Sequence, residues 1–363
     1  MTGQVQRLVV EGFRSICSLE IKFDSLNLIT GPNGCGKSNL FNAFQLLKSA
    51  VEGNLGNAIA GQGGMESILW AGPQNAGPRR MKIAFVSEPF DYEIELGLRP
   101  FSELPLFPMD PQIKKETVKL AGRMMIDRKS SVAHMRGLDG KSQMRSDLVD
   151  SESIFAQIRD PERYPYLYLL KQVVENWTFY HDFRTDADSP LRRPAVPTYA
   201  SSLAPHGANI GPFLRVIFKH GEREEFERIM AQAFPDSTVY PEGGSVQMNL
   251  RGIERPMSVN ELSDGTLKFI ALVAACFAIR PPTLIAFNEP EASLNSNLTG
   301  PLADAMAHAA VNSQLWVTTH SQELVKGLVD RMACRPIALS KVDGETVLGG
   351  RSQRLGYSED DEN

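Results

Sequence analysis

Three short apolar stretches open the chain. Leu8 to Phe13, Leu19 to Phe23 and Leu26 to Ile29 each predict a strand, and the third runs straight into the glycine-rich segment Gly31 to Gly36. Leu40, Phe41, Phe44 and Leu47 then recur at helical spacing, which predicts a helix from Lys37 to about Val51. Glycines and small residues over Gly53 to Gly77 predict a loop, and Met81 to Val86 with Tyr92 to Leu98 predict a strand pair joined through Pro89. Between Pro100 and Asp150 the periodicity fades while prolines and charges accumulate, so an insertion on the surface of the core is expected there. Helical spacing returns over Tyr164 to Asn176, Asn209 to His220 and Glu222 to Phe234, and two strands follow at Ser237 to Tyr240 and Ser245 to Leu250. The last third alternates a helix (Gly265 to Ile279), a buried strand (Thr283 to Phe287), a helix (Asn297 to Ala310), a buried strand (Gln314 to Thr319) and a short helix (Ser321 to Leu328). Strands alternating with helices predict an α/β fold with a parallel sheet at both ends of the chain.

Composition narrows the class. With 363 residues, 42% of them hydrophobic and 22% charged, the chain can bury a full core. The four cysteines lie far apart with no CxxC pair, which argues against structural zinc. The longest apolar runs are far short of the roughly 20 residues that span a bilayer. A soluble, cytoplasmic protein with reduced thiols and no membrane partner is the expectation. A net charge of −5 gives no overall attraction for a polyanion, yet the charge is locally reversed: residues 111–145 hold nine lysines and arginines against three acids, a local +6.

Four segments carry chemistry. Gly31-Pro32-Asn33-Gly34-Cys35-Gly36-Lys37-Ser38 satisfies G-x-x-x-x-G-K-[ST] between a predicted strand and a predicted helix, the context the motif demands. Its glycines let backbone N–H groups curl around phosphate oxygens, Lys37 would reach the outer phosphates, and Ser38 would bind Mg²⁺. The buried strand ending in Phe287-Asn288-Glu289-Pro290-Glu291 presents Asn288 to hold a metal-bound water and Glu289 to orient or deprotonate an attacking one, although Glu289 could also cap a helix. Leu262-Ser263-Asp264-Gly265-Thr266 precedes an apolar helix and offers a second phosphate-binding helix end, while Ser or Asp there is also the usual N-cap. Val317-Thr318-Thr319-His320-Ser321 ends a strand in a histidine, a position more often structural when taken alone.

Their order along the chain resembles the ABC ATPase class. Asn-Gly-Cys-Gly-Lys-Ser, the opening Glu11-Gly12-Phe13-Arg14-Ser15 and the Leu-Ser-Asp-Gly-Thr signature resemble the RecF/SMC-like ATPases. Phe287 to Leu294, Tyr180 to Thr185 and Leu203 to Asn209 resemble the stand-alone predicted AAA-type ATPases related to the ATPase half of OLD-family proteins. The resemblance implies an ABC-type P-loop head with a mixed or parallel central sheet, an N-terminal antiparallel β subdomain and a helical, basic insertion. It implies ATP and Mg²⁺ as cofactors, with nucleotide contacts from Arg14, Asn33, Gly34, Cys35, Gly36, Lys37, Ser38 and Asn39, and the metal held by Ser38 and, through water, Asn288. Glu289 becomes the catalytic base and His320 the γ-phosphate switch. Ser263 and Gly265 would contact the γ-phosphate held by a second subunit, which implies an ATP-dependent homodimer. Residues 1–99 and 181–350 would form the two parts of the core, 100–180 the insertion and 351–363 an acidic tail.

Departures from the family pattern shape the functional expectation. Asn288 stands where many relatives have aspartate, so weaker Mg²⁺ affinity and slow turnover are expected. Asn295-Ser296-Asn297 stands where relatives often have His-Pro, and Gln62 lies in the stretch of the coupling glutamine but reads as a solvated loop residue. OLD proteins carry a nuclease domain after the ATPase, whereas only a strand pair and the tail are expected beyond Ser340, so a nuclease or effector would be a separate chain. The leading expectation is an ATP-gated, DNA-associated ATPase in repair or antiviral defence, touching DNA through 111–145 and Arg184, Arg192 and Arg193. The alternative is an ATP-dependent interaction module that holds or releases a toxin-like partner without touching DNA.

Overall fold

The computed structural model describes residues 3–73, 79–99 and 109–349, and the chain divides into two compact units. The acidic tail and positions 100–108 of the expected insertion lie outside the described residues.

The first unit comprises residues 1–24, 31–177 and 337–363. Strands β1 (Val5–Phe13) and β2 (Ile16–Lys22) join β4 (Arg80–Ser87), β5 (Phe90–Gly97), β6 (Gln112–Leu120), β7 (Arg123–Lys129), β8 (Val132–Arg136) and β9 (Ser142–Arg145) in one antiparallel sheet ordered β2-β1-β4-β5-β6-β7-β8-β9. Buried and half-exposed positions alternate along β4 and β5, as a sheet with one covered face requires. The covered face meets α1 (Lys37–Glu52), whose Phe44 ring lies 5.1 Å from Trp177, itself 5.0 Å from Phe85. The other face carries a ladder of ion pairs: Lys82 to Glu11 at 2.6 Å, Arg80 to Glu95 at 2.8 Å, Lys115 to Glu93 at 2.9 Å and Arg7 to Glu20 at 3.4 Å. Helices α4 (Ile154–Gln157) and α5 (Pro165–Glu175) and the antiparallel hairpin of β16 (Ile337–Val342) and β17 (Glu345–Leu348) complete this unit.

Two stretches differ from the sequence expectation. The predicted loop after α1 contains α2 (Leu55–Gly61) and the single turn α3 (Met65–Ile68), anchored by buried Leu55, Ile59, Met65 and Ile68. Among its described residues, the segment expected to be a helical, basic insertion has α-helix only in α4 and α5; its basic part is four strands of the main sheet. Bulges between Glu95 and Leu96 and between Val118 and Lys119 shift the side-chain alternation, which hides a period of two. Glu116 and Arg128, counted among its charges, have no exposed side-chain surface and pair at 2.9 Å.

The second unit comprises residues 25–30 and 178–336. Its four parallel strands run in the order β10 (Thr178–Tyr180), β14 (Leu284–Asn288), β15 (Gln314–Thr319) and β3 (Leu26–Thr30). All of β15 and all of β14 up to Phe287 are buried, which explains their unbroken apolar sequences. Around them lie α6 (Ile210–His220), α7 (Arg223–Ala233), α8 (Asp264–Ala275), α9 (Thr299–Ala310) and α10 (Gln322–Met332), and the small antiparallel sheet of β11 (Thr238–Glu242), β12 (Ser245–Asn249) and β13 (Met257–Ser258). Among the described residues no helix is long and apolar enough to cross a membrane.

Candidate nucleotide-binding site

The glycine-rich loop occupies residues 31–36 and passes into α1 in the first unit. Gly36 is the residue before the helix and holds a left-handed backbone, φ 110° and ψ 9°. A side chain cannot enter there: a Cβ on Gly36 would stand 2.1 Å from Thr346 Oγ1. With no side-chain cap and no acid in the first turn, the leading N–H groups of α1 have no intrahelical acceptor and no competing anion from the helix itself. Lys37 is buried, and its Nζ folds over the loop to donate to Gly31 O at 2.9 Å and Pro32 O at 3.3 Å. Asn33, Gly34 and Ser38 are exposed, and a Cβ on Gly34 would meet nothing within 4 Å. The donor set and the open side of the loop fit a phosphate chain. Cys35 is buried with its side chain inside the loop, its Sγ 2.7 Å from where a Cβ on Gly31 would stand.

A chain of hydrogen bonds braces this loop from a distance. Thr346 Oγ1, on β17, donates to Cys35 O at 2.8 Å and lies 2.7 Å from Ser15 Oγ, which accepts from Asn39 Nδ2 at 2.8 Å. Asn39 therefore holds the turn between β1 and β2. That turn carries Arg14, at φ 48°, its guanidinium 5.4 Å from the Phe13 ring and its pKa pulled down by burial. Gln62 terminates α2 half-buried, with its Oε1 buried and without a hydrogen-bond partner, so it is not the solvated loop residue expected.

In the second unit the ends of β14 and β15 bring the remaining polar groups together. Glu289 has a left-handed backbone, φ 47°, and its N–H donates to Thr318 O at 2.9 Å. This bond turns the chain sharply off the strand end and leaves the Glu289 side chain partly exposed. Asn288 Oδ1 accepts from Thr318 Oγ1 at 2.8 Å, and its Nδ2 lies 3.2 Å from His181 Nδ1. The amide oxygen thus keeps one lone pair beyond the Thr318 bond, the minimum for holding a metal-bound water. His320 Nδ1 stands 3.7 Å from Glu289 Oε2 and 3.5 Å from Glu291 Oε1. Neither His181 nor Glu291 was singled out for a role by the sequence; both lie inside the quoted motifs, which was the available signal.

Ser263 caps α8, its Oγ accepting from Thr266 N at 3.2 Å, and Gly265 has only Ser293 O near its missing Cβ, at 3.4 Å. Both readings of Ser263 are thus compatible, since a capping serine keeps its exposure. Arg192 holds this loop in place. It donates to Val259 O, to Leu262 O at 3.2 Å and to Asp264 Oδ1 at 2.7 Å. Arg184 is paired with Asp186 and Arg193 with Asp188. Arg184, Arg192 and Arg193, expected as one basic group for DNA, therefore each carry an acid of their own. Upstream, Glu261 is held at a pKa of about 2 by its hydrogen bonds from Arg255 and then by the Ser258 N–H, which fixes the approach to the signature.

Comparison with known proteins places this geometry. The fold matches the SMC head bound to the C-winged helix domain of ScpA, with a TM-score of 0.56 at 16% identity over 95% of this chain and 97% of that one. It also matches the Smc head domain with an extended coiled coil bound to the C-terminal domain of ScpA derived from Pyrococcus furiosus, at 0.52, 16% and 95% of both chains. A stretch of 45 residues is 56% identical to the DNA replication and repair protein RecF of Magnetococcus marinus, a match that spans 12% of each chain. Fold and motifs together define a RecF/SMC-like ABC ATPase. Residues 139–326 match the family described as "AAA domain, putative AbiEii toxin, Type IV TA system", and the chain belongs to that family; residues 7–65 match a second AAA domain family.

Proposed function

We propose that the chain binds ATP with Mg²⁺, hydrolyses it slowly, and uses the bound nucleotide to close a homodimer that gates a DNA-associated activity carried by a separate effector. The observation that carries this reading is the loop at the start of α1: a helix N-terminus with no side-chain cap, preceded by Gly36, where no side chain fits, with a buried lysine folded over it. Lys37 and the N–H groups from Asn33 to Asn39 bind the phosphates, Arg14 lies at the nucleotide, and Ser38 holds the metal. Mg²⁺ supplies charge neutralisation on the phosphate oxygens. Asn288 would help to hold the metal through its amide oxygen, Glu289 accepts a proton from the attacking water, and His320 senses the γ-phosphate. Ser263 and Gly265 act on the nucleotide of the facing subunit, so each site is complete only in the dimer, and loss of the γ-phosphate removes the contacts that favour closure. The kinship to OLD-type ATPases and a role in repair or antiviral defence belong to the same reading.

A second reading has its own support. Lys115, Arg128 and Arg145 of the basic segment are each paired with a carboxylate, as are Arg184, Arg192 and Arg193. This pairing favours a nucleotide-dependent module that holds or releases a toxin-like protein partner, in keeping with the toxin–antitoxin description of the family.

The deciding measurement is the solution mass of wild-type and Glu289→Gln protein without nucleotide, with ADP and with ATP and Mg²⁺, each with and without duplex DNA at two salt concentrations. The expected result is monomers in the first two conditions and ATP-dependent dimers, stabilised in Glu289→Gln, that bind DNA more weakly as salt rises. Dimers indifferent to DNA select the second reading, and a constant mass removes the dimer mechanism.

A further inference from the structure

Glu291 has the most enclosed carboxylate described at the ends of β14 and β15, its side chain 8% exposed. Its Oε1 accepts from Thr319 Oγ1, from the His320 N–H at 3.1 Å and from the Ser321 N–H at 3.3 Å. Three donors from consecutive residues therefore converge on one oxygen, and they define where the chain leaves β15 for α10. The same oxygen lies 3.5 Å from His320 Nδ1, the ring nitrogen that Glu289 Oε2 approaches to 3.7 Å. Its second oxygen is buried without a hydrogen-bond partner. Leaving a carboxylate oxygen in that condition disfavours folding, so stability alone is a poor account of a glutamate here.

We infer that Glu291 is a positioning residue, which fixes the backbone on both sides of His320 and faces its ring so that the imidazole is held against Glu289. This rests on the reading of Glu289 and His320 as the groups that act at the γ-phosphate. His320 is 42% exposed, and a clamp on its own N–H and on the next residue's fixes the origin of the side chain. Glu291 touches neither nucleotide nor water in this role; it acts through the histidine.

The test has one arm that is independent of turnover. In nucleotide-free protein with ¹⁵N-labelled histidine, Glu291→Gln shifts and broadens the ring signals of His320, identified by their loss in His320→Gln, and leaves those of the other five histidines in place. Glu291→Asp, which keeps the charge but draws it back, produces the same change. In the second arm Glu291→Gln lowers kcat by about tenfold with the KM for ATP within about twofold, and in the His320→Gln background the same substitution changes kcat by less than about twofold. Unchanged His320 signals in both variants overturn the inference, whatever the turnover. So does a loss of kcat that is equal with and without His320 and is accompanied by a lower melting temperature, since that marks a purely structural residue. If the wild-type protein shows no hydrolysis, the ATPase proposal fails by itself and the ring signals still decide the role of Glu291.

Discussion

At the scale of single residues the loop is held by partners that the motif does not contain. Thr346 is fully buried and reaches Cys35 O across more than three hundred positions of sequence, while Ser15 ties it to Asn39. Replacing Thr346 with valine keeps its shape and its backbone bond to Ser15 O but removes the hydroxyl. One lost neutral hydrogen bond is worth about 1 kcal/mol, so ATP affinity measured by titration should fall about fivefold, with the melting temperature changing little. An unchanged affinity would mean that the loop holds its shape without this brace. No feature of the motif predicts Thr346, because the contact depends on a hairpin near the far end of the chain. Lys37 and Ser38, by contrast, are readable from eight consecutive residues, since a phosphate loop is built from local backbone geometry.

At the scale of elements the pair Glu116 and Arg128 joins β6 and β7 to the segment leading into α4. Glu116 accepts from Tyr92 Oη at 2.8 Å, Ser153 Oγ at 2.7 Å and Ile154 N at 2.9 Å, and Arg128 donates to the carbonyls of Ser130, Val149 and Glu152, each at 2.7 Å. Burial beside Glu116 also pushes the Tyr92 hydroxyl pKa well above its ordinary value, so it remains a donor. Arg128→Met leaves a buried carboxylate and three carbonyls short of their donor. Removing one member of such a pair costs about 3 to 5 kcal/mol, which for a unit of this size lowers the melting temperature by on the order of 10 °C in a thermal scan. A drop of only a degree or two would show that water or relaxation replaces the pair.

These strands also mark where the sequence was hard to read. β14 and β15 are buried on both faces and end in polar residues, so their type, direction and chemical end are plain. In β6 a bulge and a run of lysines on the outer face break the alternation, and the buried charges at Glu116 and Arg128 look like surface residues. Helix α2 is obscured for a different reason: two of its seven residues are glycine, and only Leu55 and Ile59 anchor it. The carboxylates beside His320 lie in the turn that follows β14, about thirty positions away in sequence, so the motif that contains Glu291 does not reveal its partners.

At the scale of the molecule the question is how a chain of net charge −5 would meet a polyanion. The outer ladder of the first unit changes the answer. A lone lysine that meets a DNA phosphate releases a cation condensed on the DNA, and that release drives binding. Lys115 beside Glu93 and Arg145 beside Asp147 already hold a carboxylate, and a cation that keeps that partner neutralises no phosphate. Each cation that keeps such an acid removes about 0.9 from the slope of log affinity against log salt. A DNA titration over several salt concentrations should therefore give a slope well below the value set by nine cations in 111–145, and substituting Glu93 with glutamine should steepen it by about one. An unaltered slope would exclude Lys115 from the contact. The ladder thus acts as internal salt: it screens the sheet face at any ionic strength, and any nucleic acid approaching it must compete with carboxylates that no dilution removes.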